Sequence, residues 1–445
     1  MNGEQVGEWR TLRGGNSLFR YAPSWVESPR ARALSLSLPL TADLELRGAR
    51  VENYFDNLLP DNAAVRRRIR ARFRTASSNT FDLLSAIGRD CVGAVQLLPP
   101  DQEPERWNRV DAEPLTDAGV ERALMAVTSA TPVGRDEDDD FRISLAGAQE
   151  KTALLGMAGK WFRPRHATPT THILKLPLGS IGGFQGDFSD SVENEWLCGK
   201  VLRELGLPAA ESAIATFGEQ RVLVITRFDR RWIGVPEGAE RRRRFRLTDD
   251  TWIARLPQED FCQATGRPST LNYEADGGPS IGECLAILGT GRNPQRDRTN
   301  FLLAQLTFWL LAATDGHGKN FSLHHQAGGA YEMTPLYDVL SAWPVIGHGK
   351  KQLPIEKAKM AMSVRGGSAH YRIREIQARH WQALAESAGI PAMWQRMQEH
   401  VESVVPAIKR VEADLPKAFP ERVFTTIRDG ARGQVRRFEA AIAAA

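Results

Sequence analysis

Three oxygen-bearing side chains in the later half of the chain have the types and spacing for phosphoryl transfer. The segment ATDGHGKN, residues 313–320, follows an apolar run and contains two glycines, which predicts a tight loop. Asp315 and Asn320 lie five positions apart in it. Moving a phosphoryl group onto a hydroxyl needs a carboxylate to accept the proton and an amide or carboxylate to hold magnesium. The catalytic loop of protein kinases spaces its Asp and Asn in the same way. Residues 321–325 and 330–333 read as strands around a turn at 326–329, and TPLYD, residues 334–338, follows. A hairpin brings its two ends together, so Asn320 before it and Asp338 after it can converge on one cation. Magnesium takes hard oxygen ligands and keeps several waters and phosphates, so two protein oxygens are a sufficient share. Asp315 and Asn320 taken alone could equally cap turns; the hairpin and Asp338 tip the reading toward catalysis.

Phosphates also need cations. Lys175 sits inside the apolar stretch THILKLP, residues 171–177. A lysine there either faces solvent from an edge strand or is paired in the interior. Residues 192–205 predict a helix, and Glu195 falls on the same face as Cys198, Leu202 and Leu205. Kinases hold a strand lysine on the nucleotide phosphates with a helix glutamate, and Glu195 is a candidate partner for Lys175. Small residues at Ala146, Gly147 and Ala148, before Gln149, Glu150 and Lys151, would let backbone N–H groups approach phosphates. By itself that stretch also reads as a plain β-turn. His317 could touch a phosphate, and Lys319 could neutralise the group in transit.

Around these residues the pattern is mixed α+β. Residues 171–176 and 221–226 read as strands, 301–313 as a buried helix, and 373 onward as mostly helical. Residues 97–114 are polar and proline-rich and read as a linker, followed by a helix near 121–129 and an acidic run at 136–140. Residues 233–251 carry Arg241–Arg244 and read as an exposed insertion. A second arginine run lies at 66–74. Both are expected to be solvated faces, with binding to nucleic acid or an acidic partner as the other reading. The expected organisation is 1–100, a linker and helix at 101–140, a catalytic region at 141–375, and a helical region at 376–445.

The bulk numbers are those of an ordinary globular protein. The 445 residues are 42% hydrophobic and 25% charged, and the net charge is only +4, which excludes a largely disordered or strongly basic chain. Four cysteines without a CxxC spacing argue against a zinc or redox motif and fit a reducing compartment. No signal-peptide core and no apolar run of membrane-spanning length are seen, so a cytoplasmic protein is expected.

Several segments, in order, resemble HipA toxins: FDNLLPD at 55–61, DLLSAIGRD at 82–90, SLAGAQEK at 144–151, RFDRR at 227–231, LPQED at 256–260, the loop at 313–320, and Tyr337 with Asp338. The resemblance implies an ATP-dependent Ser/Thr protein kinase. Its fold would be protein-kinase-like, close to the phosphoinositide kinases, with a β-rich N-terminal domain. It implies Asp315 as proton acceptor, Asn320 and Asp338 as Mg2+ ligands, and Lys175 on the ATP phosphates. Residues 146–151 would form the loop over them. His317, Gly318, Lys319, Asn320 and Tyr337 would line the ATP site, with Thr226, Arg227 and Phe228 at the adenine hinge. Ser144 matches an autophosphorylated serine, where added charge would repel ATP and act as an off-switch. Implied partners are a HipB-type helix-turn-helix antitoxin, operator DNA through that complex, and an aminoacyl-tRNA synthetase as substrate, notably glutamyl-tRNA synthetase. Two departures stand out. Thr226 replaces a glutamate common at the hinge, which shifts adenine recognition to backbone groups, and the insertion after Trp232 is long. A small-molecule kinase and a catalytically idle, DNA-bound co-repressor remain the alternatives.

Overall fold

Alternating apolar residues between turns fold the start of the chain into a three-stranded antiparallel sheet, Gly7–Thr11, Ser17–Tyr21 and Glu45–Arg47. The computed structural model describes residues 1–128, 143–147, 149–181 and 186–444. The helices Ala49–Asp56 and Thr80–Ile87 close over this sheet, burying Phe19, Tyr21, Tyr54, Phe55, Leu83 and Leu84 in one core. Trp9 stacks on Phe55 with ring centroids 3.9 Å apart. Asn79 caps the helix Thr80–Ile87 by accepting from the Asp82 amide at 2.7 Å. The arginine run forms the helix Ala63–Phe73, in which no residue is buried.

A six-stranded sheet follows, in the order Ser212–Phe217, Gln220–Thr226, His172–Lys175, Lys151–Met157, Lys160–Pro164 and Ala112–Leu115. Strand alternation turns Leu154, Leu174, Val222 and Val224 to one face, where Val120 and Leu124 of the helix Asp117–Thr128 cover them. Each such apolar side chain contributes about 1.5–3 kcal/mol on burial. The last strand lies within the stretch expected to be a linker. Its Pro114 cannot donate to a ladder, but an edge strand tolerates that loss. The strands Arg230–Ile233 and Trp252–Arg255 pair as a hairpin, and Arg241–Arg244 lie exposed in the long loop between them, as expected of an insertion.

By internal contacts the chain forms two compact units. The first is Met1–Leu176, Ala215–Thr270 and Leu323–Tyr331; the second is Pro177–Ile214, Leu271–Ser322 and Glu332–Ala445. The second is built on helices, chiefly Ser191–Glu204, Pro294–Leu311, Ala378–Ser387, Met393–Ala413 and Glu421–Ala443. Pro294–Leu311 is apolar on all sides of its C-terminal half and is the buried core helix of this unit. Its Trp309 packs on Trp381 and Phe438. The buried amide of Asn194 exchanges two hydrogen bonds of 2.8 Å with the backbone of Ser341, which fixes the segment after Asp338 to the helix Ser191–Glu204. All four cysteines are buried thiols outside any disulfide. Among the described residues no helix is long and apolar enough to cross a membrane.

Candidate active site

The loop at 313–320 starts where the core helix stops. Ala312 takes a left-handed conformation (φ 50°) as the helix C-cap, and the chain turns sharply. Gly316 lies against Phe308 of that helix; a Cβ there would stand 2.4 Å from the ring, so only glycine fits. Asp315 is carried outward with its side chain 54% exposed, while His317, Lys319 and Asn320 are buried.

Inside the loop the functional groups are oriented by hydrogen bonds. Asn320 donates its amide nitrogen to the Asp315 carbonyl oxygen at 2.6 Å, which leaves its amide oxygen as the end able to serve a cation. The hydroxyl of Tyr273 donates to the Asp315 carboxylate. Burial, then the Asp315 charge and this hydrogen bond, pushes the ionisation of the Tyr273 phenol far up, so it remains a donor. The Tyr273 ring meets His317 edge-on at 5.0 Å. His317 Nε2 lies 3.8 Å from Asp315 Oδ1, and its Nδ1 is buried without a hydrogen-bond partner. A buried imidazole nitrogen without a partner is costly, and a ligand oxygen would satisfy it.

The expected hairpin is present as Ser322–His325 and Tyr331–Met333. The Thr334 amide donates to the Ser322 carbonyl at 2.9 Å and closes its base. Tyr337 then crosses back: its hydroxyl donates to the Lys319 carbonyl at 2.7 Å and shares a 2.5 Å hydrogen bond with Ser322 Oγ. These bonds hold the segment bearing Asp338 against the loop bearing Asn320. Asp338 itself has φ 59°, an uncommon conformation for a non-glycine residue. Strain of that kind concentrates at functional sites. An amide oxygen and a carboxylate, carried on these two tied segments, are the donor types magnesium takes, and it needs few protein ligands.

The first unit carries the remaining expected residues except Glu195. Lys175 is 4% exposed on a central strand, so an edge strand facing solvent is ruled out. It pairs in register with Lys151 on one side and Leu223 on the other. The segment before Lys151 is bound to this strand: Gln149 Nε2 donates to the Leu176 carbonyl at 2.6 Å, and the Leu176 amide donates to the Glu150 carbonyl at 3.1 Å. Gly147 has φ +100°, and a Cβ there would stand 2.7 Å from Lys151 Nζ, so the glycine lets the ammonium lie over the turn. Ala146 sits beside it, and Ala148 lies outside the described residues, as does the acidic run 136–140. Ser144 is fully buried and donates its hydroxyl to the Leu58 carbonyl at 2.8 Å. Glu195, in the second unit, is buried in the helix Ser191–Glu204.

The hinge residues divide. Thr226 ends its strand opposite His172, and Phe228 is half-buried beyond it. The Arg227 side chain points into a buried ionic cluster, so it has only its backbone to offer a nucleotide. Its guanidinium binds both Asp229 oxygens at 3.0 and 2.7 Å and the Cys91 carbonyl at 2.8 Å. Asp90 receives Arg230 at 2.9 Å and Arg255 at 3.1 Å. Burial pushes the Asp90 carboxyl up, but Arg230, Arg255 and Arg227 together outweigh it and hold it well below the usual carboxylate range. Neither this cluster nor the Tyr273 contact was expected.

Known proteins place the arrangement. A profile for the HipA N-terminal domain matches residues 1–98, and one for the HipA-like C-terminal domain matches residues 143–411. The chain is 32% identical over 422 residues to Y4mE of Sinorhizobium fredii, named as a candidate kinase, with 93% of this chain and 91% of that protein covered. It is 27% identical over 338 residues to the serine/threonine-protein kinase toxin HipA of Shewanella oneidensis, covering 72% of this chain and 69% of that one. Its fold matches a Shewanella oneidensis HipA structure, solved with HipB and operator DNA, with a TM-score of 0.77. That match has 22% identity and covers 100% of this chain and 97% of the other. The mixed helix and sheet architecture is thus the protein-kinase-like one of that structure, and the chain belongs to the HipA family.

Proposed function

We propose that the chain is a Ser/Thr protein kinase toxin that moves the ATP γ-phosphate to a protein hydroxyl. The observation that carries the reading is the Tyr337 hydroxyl bound to the Lys319 carbonyl, because it holds Asn320 and Asp338 to one short stretch of backbone beside Asp315. The family and the kinase names of its relatives support the same reading.

In this mechanism Asp315 accepts the proton of the acceptor hydroxyl as the oxygen attacks. Its exposure leaves room for a protein substrate, and Tyr273 keeps the carboxylate oriented. Asn320 and Asp338 hold Mg2+, which neutralises charge on the phosphates when bound. His317 Nδ1 and Lys319 face phosphoryl oxygens. Lys175, with Glu195 as its partner, and Lys151 hold the remaining phosphates, under the loop of residues 146–151. The adenine is read by backbone groups of Thr226, Arg227 and Phe228.

The substrate we favour is an aminoacyl-tRNA synthetase such as glutamyl-tRNA synthetase, whose modification halts translation and growth. A HipB-type antitoxin and operator DNA are the proposed partners, supported by the complex in which the Shewanella oneidensis relative was solved. Autophosphorylation of Ser144 is the proposed off-switch. Because that hydroxyl is fully buried on the Leu58 carbonyl, transfer to it requires the segment to leave its present seat. The test is incubation of the purified protein with Mg-ATP and a panel of synthetases, followed by peptide mapping. Phosphate on one synthetase and on Ser144 is expected; no phosphate on any protein would overturn the reading.

A further inference from the structure

The carboxylate of Asp315 is exposed, and among the described residues the Tyr273 hydroxyl is its one hydrogen-bond donor. What fixes Tyr273 therefore fixes the proton acceptor. Tyr273 opens a tight turn, residues 273–278, within the second unit. Its carbonyl accepts from the amides of Asp276 at 3.1 Å and Gly278 at 2.8 Å. Gly277 has φ +104°, and a Cβ on Gly278 would stand 2.6 Å from the Asn272 carbonyl, so the turn closes with glycine at both positions. The Asn272 carbonyl accepts from the Gly318 amide at 3.1 Å. Residues 272 and 273 thus meet the loop at Asp315, His317 and Gly318.

On its other side the turn is anchored by Glu274, whose side chain is only 6% exposed. A carboxylate so buried needs donors. The Ser363 amide donates to it at 2.6 Å, the Ser363 hydroxyl at 2.8 Å and the Arg365 guanidinium at 2.8 Å. Ser363 and Arg365 lie on the strand Lys359–Arg365, which pairs antiparallel with Ala369–Arg372. The ladder between these strands shifts register between Lys359 and Val364, and Ser363 falls in that stretch. A break of this kind leaves an amide without a partner in the ladder. The amide of the buried Ser363 is turned to Glu274 instead. The Arg365 side chain is 60% exposed, so water screens its ion pair and the two Ser363 bonds are the firmer part of the anchor.

Tyr273 and Glu274 are neighbours in the chain, one bound to the proton acceptor and the other to the strand. We propose that Glu274 is a positioning residue for Asp315: anchored on Ser363, it holds the turn so that the Tyr273 hydroxyl stays on the Asp315 carboxylate. The proposal rests on the kinase reading. It extends the catalytic arrangement to the strands Lys359–Arg365 and Ala369–Arg372, to which that reading assigns no contact with ATP or Mg2+.

The test is a double-mutant cycle on the full chain, with transfer from Mg-ATP to glutamyl-tRNA synthetase and to the chain itself. The variants are Glu274→Ala, Glu274→Gln, Tyr273→Phe and the combination of Glu274→Ala with Tyr273→Phe. Glu274→Ala is expected to lower the rate at saturating ATP by about fivefold to tenfold, as misplacement of a reacting group does, with the KM for ATP unchanged. In the Tyr273→Phe background no hydroxyl is left to position, and the same substitution should change the rate by less than about twofold. Glu274→Gln can still accept from Ser363 and should fall between wild type and Glu274→Ala. It takes the place of Glu274→Ala in the cycle if that variant fails to fold. A full rate in both Glu274 variants, an effect on KM alone, or the same loss with and without the Tyr273 hydroxyl would overturn the proposal. Hydrogen exchange reads the anchor without activity: Glu274→Ala should speed exchange in peptides spanning 313–320 by about tenfold. Unchanged exchange would also overturn the proposal. A wild type that transfers no phosphate, with exchange still responding to Glu274→Ala, would sink the kinase reading and leave the anchor standing.

Discussion

The Tyr337 hydroxyl donates to the Lys319 carbonyl at 2.7 Å, and this bond ties the segment leaving the hairpin to the loop leading into it. Tyr337 is therefore a positioning residue for Asn320 and Asp338. Tyr337→Phe keeps the ring and removes the bond. Its expected effect is a rise of about fivefold in the magnesium concentration that gives half-maximal activity, from a bond of about 1 kcal/mol. An unchanged magnesium dependence would mean that the ring alone holds the segment.

Tyr273 touches the proposed proton acceptor directly, through its hydroxyl on the Asp315 carboxylate. Tyr273→Phe leaves the carboxylate in place but free to turn. We expect kcat to fall by about tenfold, with the KM for ATP unchanged. Steady-state kinetics separate the two, and a variant altered only in KM would place Tyr273 in nucleotide binding instead.

The buried cluster around Asp90 makes a prediction about stability rather than chemistry. Asp90 faces Arg227, Arg230 and Arg255, and all four side chains are nearly inaccessible to water. Asp90→Asn removes one of the two carboxylates, with Asp229, that balance them. Breaking a buried ionic network in this way costs about 3–5 kcal/mol. Denaturant unfolding should show the midpoint shift, and the RFDR segment should lose protection from hydrogen exchange. An unchanged midpoint would mean that Asp229 and the carbonyl groups of Cys91, Gly93 and Ala167 satisfy the arginines without it.

His400 supplies a pH signature. Burial pushes its imidazole down from 6.5 to about 4, and its Nε2 is 2.7 Å from Thr307 Oγ1. The unfolded chain takes up this proton near pH 6.5, while the folded chain resists it until about pH 4. Stability therefore falls as the pH drops from 6.5 toward 4, by up to about 3 kcal/mol, and this contribution levels off below. His400→Gln can keep the bond to Thr307 without titrating. The difference between wild type and variant in thermal midpoint against pH isolates the effect; parallel curves would contradict it.

Local signals made much of this site legible. The five-residue spacing of Asp315 and Asn320, the turn at 326–329 and the apolar strand around Lys175 each occupy a short window, and each is where the sequence puts it. Long-range partners left no such trace. Tyr273 lies 42 residues before Asp315, in a stretch with no periodicity to mark it. Arg227 and Asp90 are 137 residues apart, and nothing in the RFDR segment distinguishes an arginine that faces inward from one at a ligand. The strand Ala112–Leu115 was hidden by its proline, because edge strands obey weaker rules than central ones.

The role of Asp315 as proton acceptor is tested by single-turnover phosphate transfer with Mg-ATP, comparing wild type with Asp315→Asn. ATP binding would be measured in parallel. The variant is expected to bind ATP with unchanged affinity while transfer falls by about 10²–10⁴-fold, as loss of a general base does. Transfer at the wild-type rate in Asp315→Asn would contradict it, because the proposed mechanism hands the proton to Asp315.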